Sequence, residues 1–306
     1  MGNNNIFAVS WWVSAKRTRS YPYERVYNTL GFSGKKVTII PVYKDEGKDG
    51  DRDFIQWDTI SLMSLLSVNV IIAYYTNAEK NNSYNNKITN QRYDINYILQ
   101  ELNSLLSYQS DALHWNLQQI DKINDTANKA LSSYGLISST LGVQMHSPPS
   151  AKSRISKIYT CKEDFMRMSR ENALQAQQRE ICTTQPKEFV SGTKGEITIK
   201  NYLGGYYYFT VDEIEIINGV LHLYECKHTK GNKLPSEGDI KDGIMKMILY
   251  TNLEDVMVDG CPIDYVPVLK LTAGGIISNV EIQKPFFQML KKEAEINQFV
   301  LDVAHE

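Results

Sequence analysis

The chain has 306 residues, 42% of them hydrophobic and 22% charged, with 18 glycines and 9 prolines. That composition belongs to a globular protein with a sizeable core, and it excludes a disordered, collagen-like or coiled-coil chain. The 33 basic and 35 acidic side chains nearly cancel, so no overall field directs the molecule to nucleic acid or to a membrane, and any such surface must come from local clustering.

Cys161, Cys182, Cys226 and Cys261 are widely spaced and form no CxxC pair, which argues for reduced thiols rather than a disulfide framework or structural zinc. The N-terminal residues lack the basic and apolar regions of a signal peptide. The most apolar stretch, residues 60–75, is interrupted by Ser61, Ser64, Ser67 and Asn69, too polar to span a bilayer. The expectation is a soluble, cytoplasmic protein of one large or two small domains.

In chain order, residues 36–42 (KVTIIPV) read as a strand, and residues 43–52 as a loop. A buried helix from Thr59 runs into a strand at Val68, and the Asn-rich residues 77–90 read as an exposed loop. Helical spacing begins at Asp94 with Ile95, Ile98, Leu99, Leu102, Leu105 and Leu106, and a second helix is expected over 111–131. Ser147-Pro148-Pro149-Ser150 marks the clearest break. It divides a partly helical N-terminal region, 1–148, from the remainder, 149–306. A basic helix over 162–181 follows, then strands over 196–202, 206–217 and 220–227. A helix over 239–252, a strand over 266–272 and a helix opened by Pro285 complete the reading.

The segment that carries chemistry is YYYFTVDEIEIINGVLHLYECKHTK, residues 206–230. Asn218-Gly219 between two β-rich runs signals a two-residue hairpin, because a type I′ turn needs positive φ at both positions. Counting back from that turn sets Asp212 opposite Glu225 and Thr210 opposite Lys227. Alternation puts Asp212, Leu221, Leu223, Glu225 and Lys227 on the apolar, core-facing side, and Glu213, His222, Tyr224 and Cys226 on the other. Two bare carboxylates about 5 Å apart repel. A divalent cation that prefers hard oxygen ligands resolves the conflict.

This Asp…Glu-X-Lys arrangement resembles the bipartite motif of the PD-(D/E)XK nuclease superfamily, with Val211 where the signature often has proline. The following LPS (234–236) and GDIKDG (238–243) are similar to segments of bacterial type II restriction endonucleases, so the likeness covers about residues 190–255. The resemblance implies an α/β (α+β) fold with a restriction-endonuclease-like mixed sheet flanked by helices. It implies Mg2+ held by Asp212, Glu225 and the Cys226 carbonyl, with Lys227 orienting the attacking water and stabilising charge on the phosphate. The implied activity is site-specific hydrolysis of double-stranded DNA by a restriction enzyme, as part of a restriction-modification system. A homodimer is implied because protein symmetry then matches a palindromic site. A repair or junction-resolving nuclease of the same superfamily, or a non-catalytic DNA-binding protein on the same scaffold, is the alternative.

Upstream acids of such a site are sought at Glu188 and Glu196, though each also reads as a solvated charge. Candidate DNA contacts are Lys16, Arg17 and Arg19 among the aromatic residues Trp11, Trp12, Tyr21 and Tyr23, then Lys152 and Arg154. Lys230, Lys233 and Lys241 follow the motif closely enough to meet phosphates. The acidic run Asp45, Glu46, Asp49, Asp51 and Asp53 fails the calcium-loop spacing and reads as a solvated loop, with Asp53 and Asp58 retained as possible metal helpers. Residues 31–36 (GFSGKK) lack the phosphate-loop pattern. His114 reads as a helix-packing residue, and no serine- or zinc-hydrolase motif is present.

Overall fold

The computed structural model describes residues 7–11, 34–160, 167, 171, 193–200 and 206–303. Lys16, Arg17, Arg19, Glu188, the GFS of the rejected phosphate loop and most of the expected basic helix lie outside the described residues. The described residues fall into two compact units, one holding 7–11, 34–160, 167 and 171, the other 193–200 and 206–303.

In the first unit, β1 (Phe7–Trp11), β2 (Lys35–Pro41) and β5 (Val68–Ala73) form a parallel sheet in the order β1-β2-β5. β2 and β5 are nearly continuous apolar runs because a parallel sheet is covered on both faces. Helix α1 (Trp57–Leu65) connects them, as a parallel pair requires. Helices α2 (Ile95–Ser107) and α3 (Ala112–Asp121) start at Asp94 and Asp111, whose carboxylates accept the backbone N–H three residues on. Their apolar sides bury Ile98, Leu105 and Trp115 against Val37, Ile39 and Ile71.

Among the described residues no fourth strand pairs the β5 edge, and α3 supplies side chains there. Asn116 Oδ1 accepts from Val70 N at 2.6 Å and its Nδ2 donates to the Val68 carbonyl at 3.0 Å. Gln119 Oε1 accepts from Ile72 N at 3.1 Å, and Trp115 Nε1 donates to the Val70 carbonyl at 2.7 Å. A sheet edge that would otherwise recruit another chain is thereby closed.

Several expectations change here. The helix expected over 111–131 is two, α3 and α4 (Ile123–Leu141), parted at Lys122 and ended by Gly142 at φ 60°. Residues 77–90 are not a loop throughout. β6 (Tyr75–Lys80) and β7 (Ile88–Tyr93) form a hairpin whose polar residues face out while Ala78 and Ile88 are buried. Residues 43–52 likewise contain β3 (Tyr43–Asp45), paired with β4 (Arg52–Phe54). Asp45 is not solvated. It is 1% exposed and accepts from Tyr43 Oη, Gly47 N and His146 Nδ1. Asp53 and Asp58 are also buried in this unit. His114 is exposed, its ring 2.7 Å from the Asp111 carboxylate, so it supports the helix start rather than packing a core.

Pro148 and Pro149 do not mark a division. They open helix α5 (Pro148–Thr160), where the missing N–H costs nothing and the fixed φ suits a first turn. Every described residue up to 171 belongs to the first unit.

The second unit is a mixed five-stranded sheet in the order β14-β13-β10-β9-β8. β8 (Thr193–Lys200), β9 (Tyr206–Ile217) and β10 (Val220–Thr229) run antiparallel. Helix α6 (Glu237–Tyr250), capped by Ser236, leads on through the short β11 (Met257–Val258) and β12 (Cys261–Pro262). β13 (Tyr265–Ala273) then lies parallel to β10. Helices α7 (Asn279–Ile282) and α8 (Pro285–Asn297) precede β14 (Val300–Val303), a strand the sequence reading does not anticipate, parallel to β13. The whole is a mixed α+β protein, and no described helix is long and apolar enough to cross a membrane.

Candidate active site on the β9–β10 hairpin

The turn forms at Asn218 and Gly219, with φ of 52° and 81°, the left-handed conformation that a type I′ turn demands. From it the ladder pairs Ile217 with Val220 and continues to Glu213 with Tyr224. Hydrogen-bonded pairs recur at every second residue, so the Cys226 N–H is due to meet the Val211 carbonyl. Instead the Asp212 carboxylate takes it, at 2.9 Å.

The cause is visible on the opposite edge of β9. Against β8, Thr193 pairs with Ile214 and Gly195 with Val211, so β9 holds one residue more than β8 between these pairs. The bulge falls at Asp212 and Glu213, both buried although they are consecutive. A bulge re-aims a side chain and parts the ladder, and here it brings the Asp212 carboxylate over β10 beside Glu225.

Glu225 is 1% exposed and meets two ammonium groups, Lys227 at 2.7 Å and Lys246 at 2.6 Å. Lys246 stands on α6 and also lies 3.5 Å from the Thr210 carbonyl. It comes so close because Gly243 faces the sheet one turn earlier. A Cβ there would lie 2.6 Å from Leu269 Cδ1, 3.5 Å from Lys227 Cε and 3.6 Å from Glu225 Cγ.

The charges are unequal in their surroundings. Burial, reinforced by Glu225, pushes the Asp212 carboxyl up to about 7, against the pull of Lys246, the Cys226 N–H and Lys227. Burial acts upward on Glu225 too, but Lys227 and Lys246 outweigh it and hold that carboxyl below its ordinary value. Both ammonium groups resist the downward effect of burial and sit above the usual lysine value because Glu225 faces them. The pair therefore comprises a firmly ionised Glu225 and an Asp212 poised near neutrality.

The structure thus brings Asp212, Glu225 and Lys227 together and adds Lys246, which the sequence reading omits. Its signal is the spacing Gly243, Lys246, Tyr250, which sets one helix stripe against the sheet. Burial also departs from the expected single core face. Tyr224, Cys226 and Val268 form a small core on the other side, where Glu213 is paired with Lys270 at 3.2 Å. Strands that lie parallel within a sheet carry cover on both faces. The Cys226 thiol belongs to that far side and burial pushes it up in pKa, which leaves its backbone carbonyl as the group it can offer to a metal.

The remaining candidates lie elsewhere. Glu196 is exposed on β8, paired with Thr210. Lys230 and Lys233 are exposed in the turn after β10, and Lys241 faces Glu237 at 3.7 Å. Lys152 and Arg154 are exposed on α5, in the first unit.

Among the described residues no group of three or more His, Cys, Asp or Glu side chains is placed to hold a metal. Mg2+ does not need one: it binds through one or two carboxylates and keeps several waters. Two adjacent buried carboxylates, Asp212 raised in pKa by burial and then by Glu225, fit that ion in donor chemistry, with Lys227 and Lys246 already facing the Glu225 charge. No protein-family model, curated protein or solved structure matches the chain.

Proposed function

We propose that the protein is a Mg2+-dependent endonuclease that hydrolyses phosphodiester bonds of double-stranded DNA at specific sites, in the manner of a type II restriction enzyme. The observation that carries this reading is the parted hairpin, where a bulge sets Asp212 beside Glu225 and Lys227 bonds the same glutamate at 2.7 Å. A mixed sheet with helices agrees in class with the α+β fold that the PD-(D/E)XK likeness implies. A bulge and a buried unequal pair of carboxylates are costly in a purely structural hairpin, and sites of chemistry are where such costs collect.

Asp212 and Glu225, with the Cys226 carbonyl, would hold the ion. When bound there, Mg2+ polarises the phosphate and lowers the pKa of its bound water. The chain supplies the rest. Lys227, 20% exposed at its side chain, can turn from Glu225 to a phosphate oxygen and stabilise the charge that grows on it in the transition state. Lys246 keeps Glu225 ionised and positioned from behind.

Digestion of long unmodified DNA by the purified protein tests the reading. Discrete fragments that require Mg2+ and vanish in EDTA are expected. A smear would retain a nuclease without site specificity, cleavage confined to branched DNA would favour a junction-resolving enzyme, and intact DNA throughout would leave a binding protein.

A further inference from the structure

The first unit holds a cationic cluster that the proposed reaction leaves unused. Phe54, 7% exposed at the end of β4, has two guanidinium groups over its ring, Arg52 at 5.5 Å and Arg154 at 5.1 Å from the centroid. The two positive centres are therefore no farther apart than those distances together. Stacking occupies the flat face of a guanidinium and leaves its in-plane N–H donors for other partners. Arg52 makes a long 3.5 Å bond to Ser150 Oγ and also interacts with the Tyr43 hydroxyl. Among the described residues, no carboxylate lies within ion-pair distance of either arginine.

A third group belongs to the same corner. Asp45, paired with Arg52 across β3 and β4, seats His146 through Nδ1 at 2.8 Å. That carboxylate is already engaged by Tyr43 Oη at 2.5 Å and Gly47 N at 2.9 Å. His146 is fixed in orientation while its side chain stays 26% exposed, and with its Nδ1–H donated to Asp45 its Nε2 is a hydrogen-bond acceptor.

We propose that Arg52 and Arg154 form a docking site for the sugar-phosphate backbone of DNA, an inference that rests on the nuclease reading above. Like charges held side by side repel until a polyanion meets them, and the planar guanidinium fork matches two phosphate oxygens at once. Phosphates of one strand succeed each other every ~3.4 Å along the duplex axis, so one strand offers enough of them to engage both arginines. Such contacts fix orientation on the duplex and carry no base information.

The test is fluorescence anisotropy of the full chain with a labelled duplex in EDTA, across a salt series, for the wild type and for Arg52→Met with Arg154→Met. Methionine keeps an apolar cover on Phe54 while removing the charge. Affinity is expected to fall about tenfold at physiological salt, and the slope of log affinity against log salt to become shallower by ~1.8, at ~0.9 per phosphate contact. Unchanged affinity and slope, or a wild type that does not bind duplex at all, would overturn the proposal. If the double variant unfolds, Arg154→Met alone serves, since its guanidinium is held by the ring contact alone among the described residues; the expected slope change is then ~0.9. Cleavage in Mg2+ is scored separately. A wild type that binds through the arginines yet never cuts would sink the nuclease reading and leave the site standing.

Discussion

Asp212 binds its proton far more tightly in the folded chain than an ordinary aspartate does. Its value in the unfolded chain is near 3.8, and folding moves it to about 7 through burial and then Glu225. Below the unfolded value both states are protonated and nothing is lost. As pH rises between the two values the unfolded chain sheds the proton first, so stability falls, and above about 7 the loss is complete. At ~1.4 kcal/mol per unit the loss is on the order of 4 kcal/mol. Asp212→Asn keeps an oxygen for the Cys226 N–H and removes the titration. Thermal unfolding in EDTA should therefore show the variant gaining on the wild type from pH 4 to 7 and holding that lead at higher pH, and a lead independent of pH would refute the assignment. Glu225 makes the opposite contribution, because Lys227 and Lys246 stabilise its charge. Lys246→Met should cost about 3 kcal/mol in urea denaturation, since a buried charge loses one of its partners. In a Glu225→Gln background the same change should cost far less; equal costs in both backgrounds would mean that Lys246 is a packing residue.

At the scale of elements, the approach of α6 to the sheet decides whether Lys246 reaches Glu225. Gly243→Ala improves helix propensity by ~1 kcal/mol, yet its methyl would meet Leu269 Cδ1 at 2.6 Å, an overpacking cost of ~1–3 kcal/mol. Cleavage should fall by at least about tenfold while the urea midpoint stays level or drops; full activity would show that the helix can shift without harm. The hairpin itself was legible because Asn218-Gly219 dictates a turn, and the turn dictates the pairing down to Glu213 and Tyr224. The bulge at Asp212 was not legible, since the residue count that makes it belongs to β8, a partner whose register is a tertiary fact. Residues 77–90 misled for a related reason: a hairpin with one wet face needs few apolar residues, and Ala78 and Ile88 supply them. Lys246 was hidden because a lysine on a helix is ordinarily solvated, and the glycine one turn before it is a weak cue.

Across the whole molecule, the sequence located the second unit's meander and the helix after it, while the boundary was misplaced at a proline pair that starts a helix. Polarity alone does not distinguish a linker from a capped helix. The asparagine and glutamine that close the β5 edge were equally unreadable, because their role depends on where α3 lies. On α2, Ile95, Leu99 and Leu106 are 53%, 51% and 47% exposed along one uncharged stripe, a surface suited to pairing of two copies on a twofold-symmetric duplex. Light scattering should return the mass of two chains, and a monomer both with and without DNA would contradict this.

The proposed activity rests on Asp212, Glu225 and Lys227 acting together on DNA. Its most direct test is single-turnover cleavage of a duplex that the wild type cuts, in Mg2+ and in EDTA, beside Lys227→Ala. Cleavage that requires Mg2+ is expected, slowed by about 10²–10⁴ in the variant, the range for loss of one positioned catalytic group. A variant that cuts at the wild-type rate, or a wild type that cuts as well in EDTA, would contradict it.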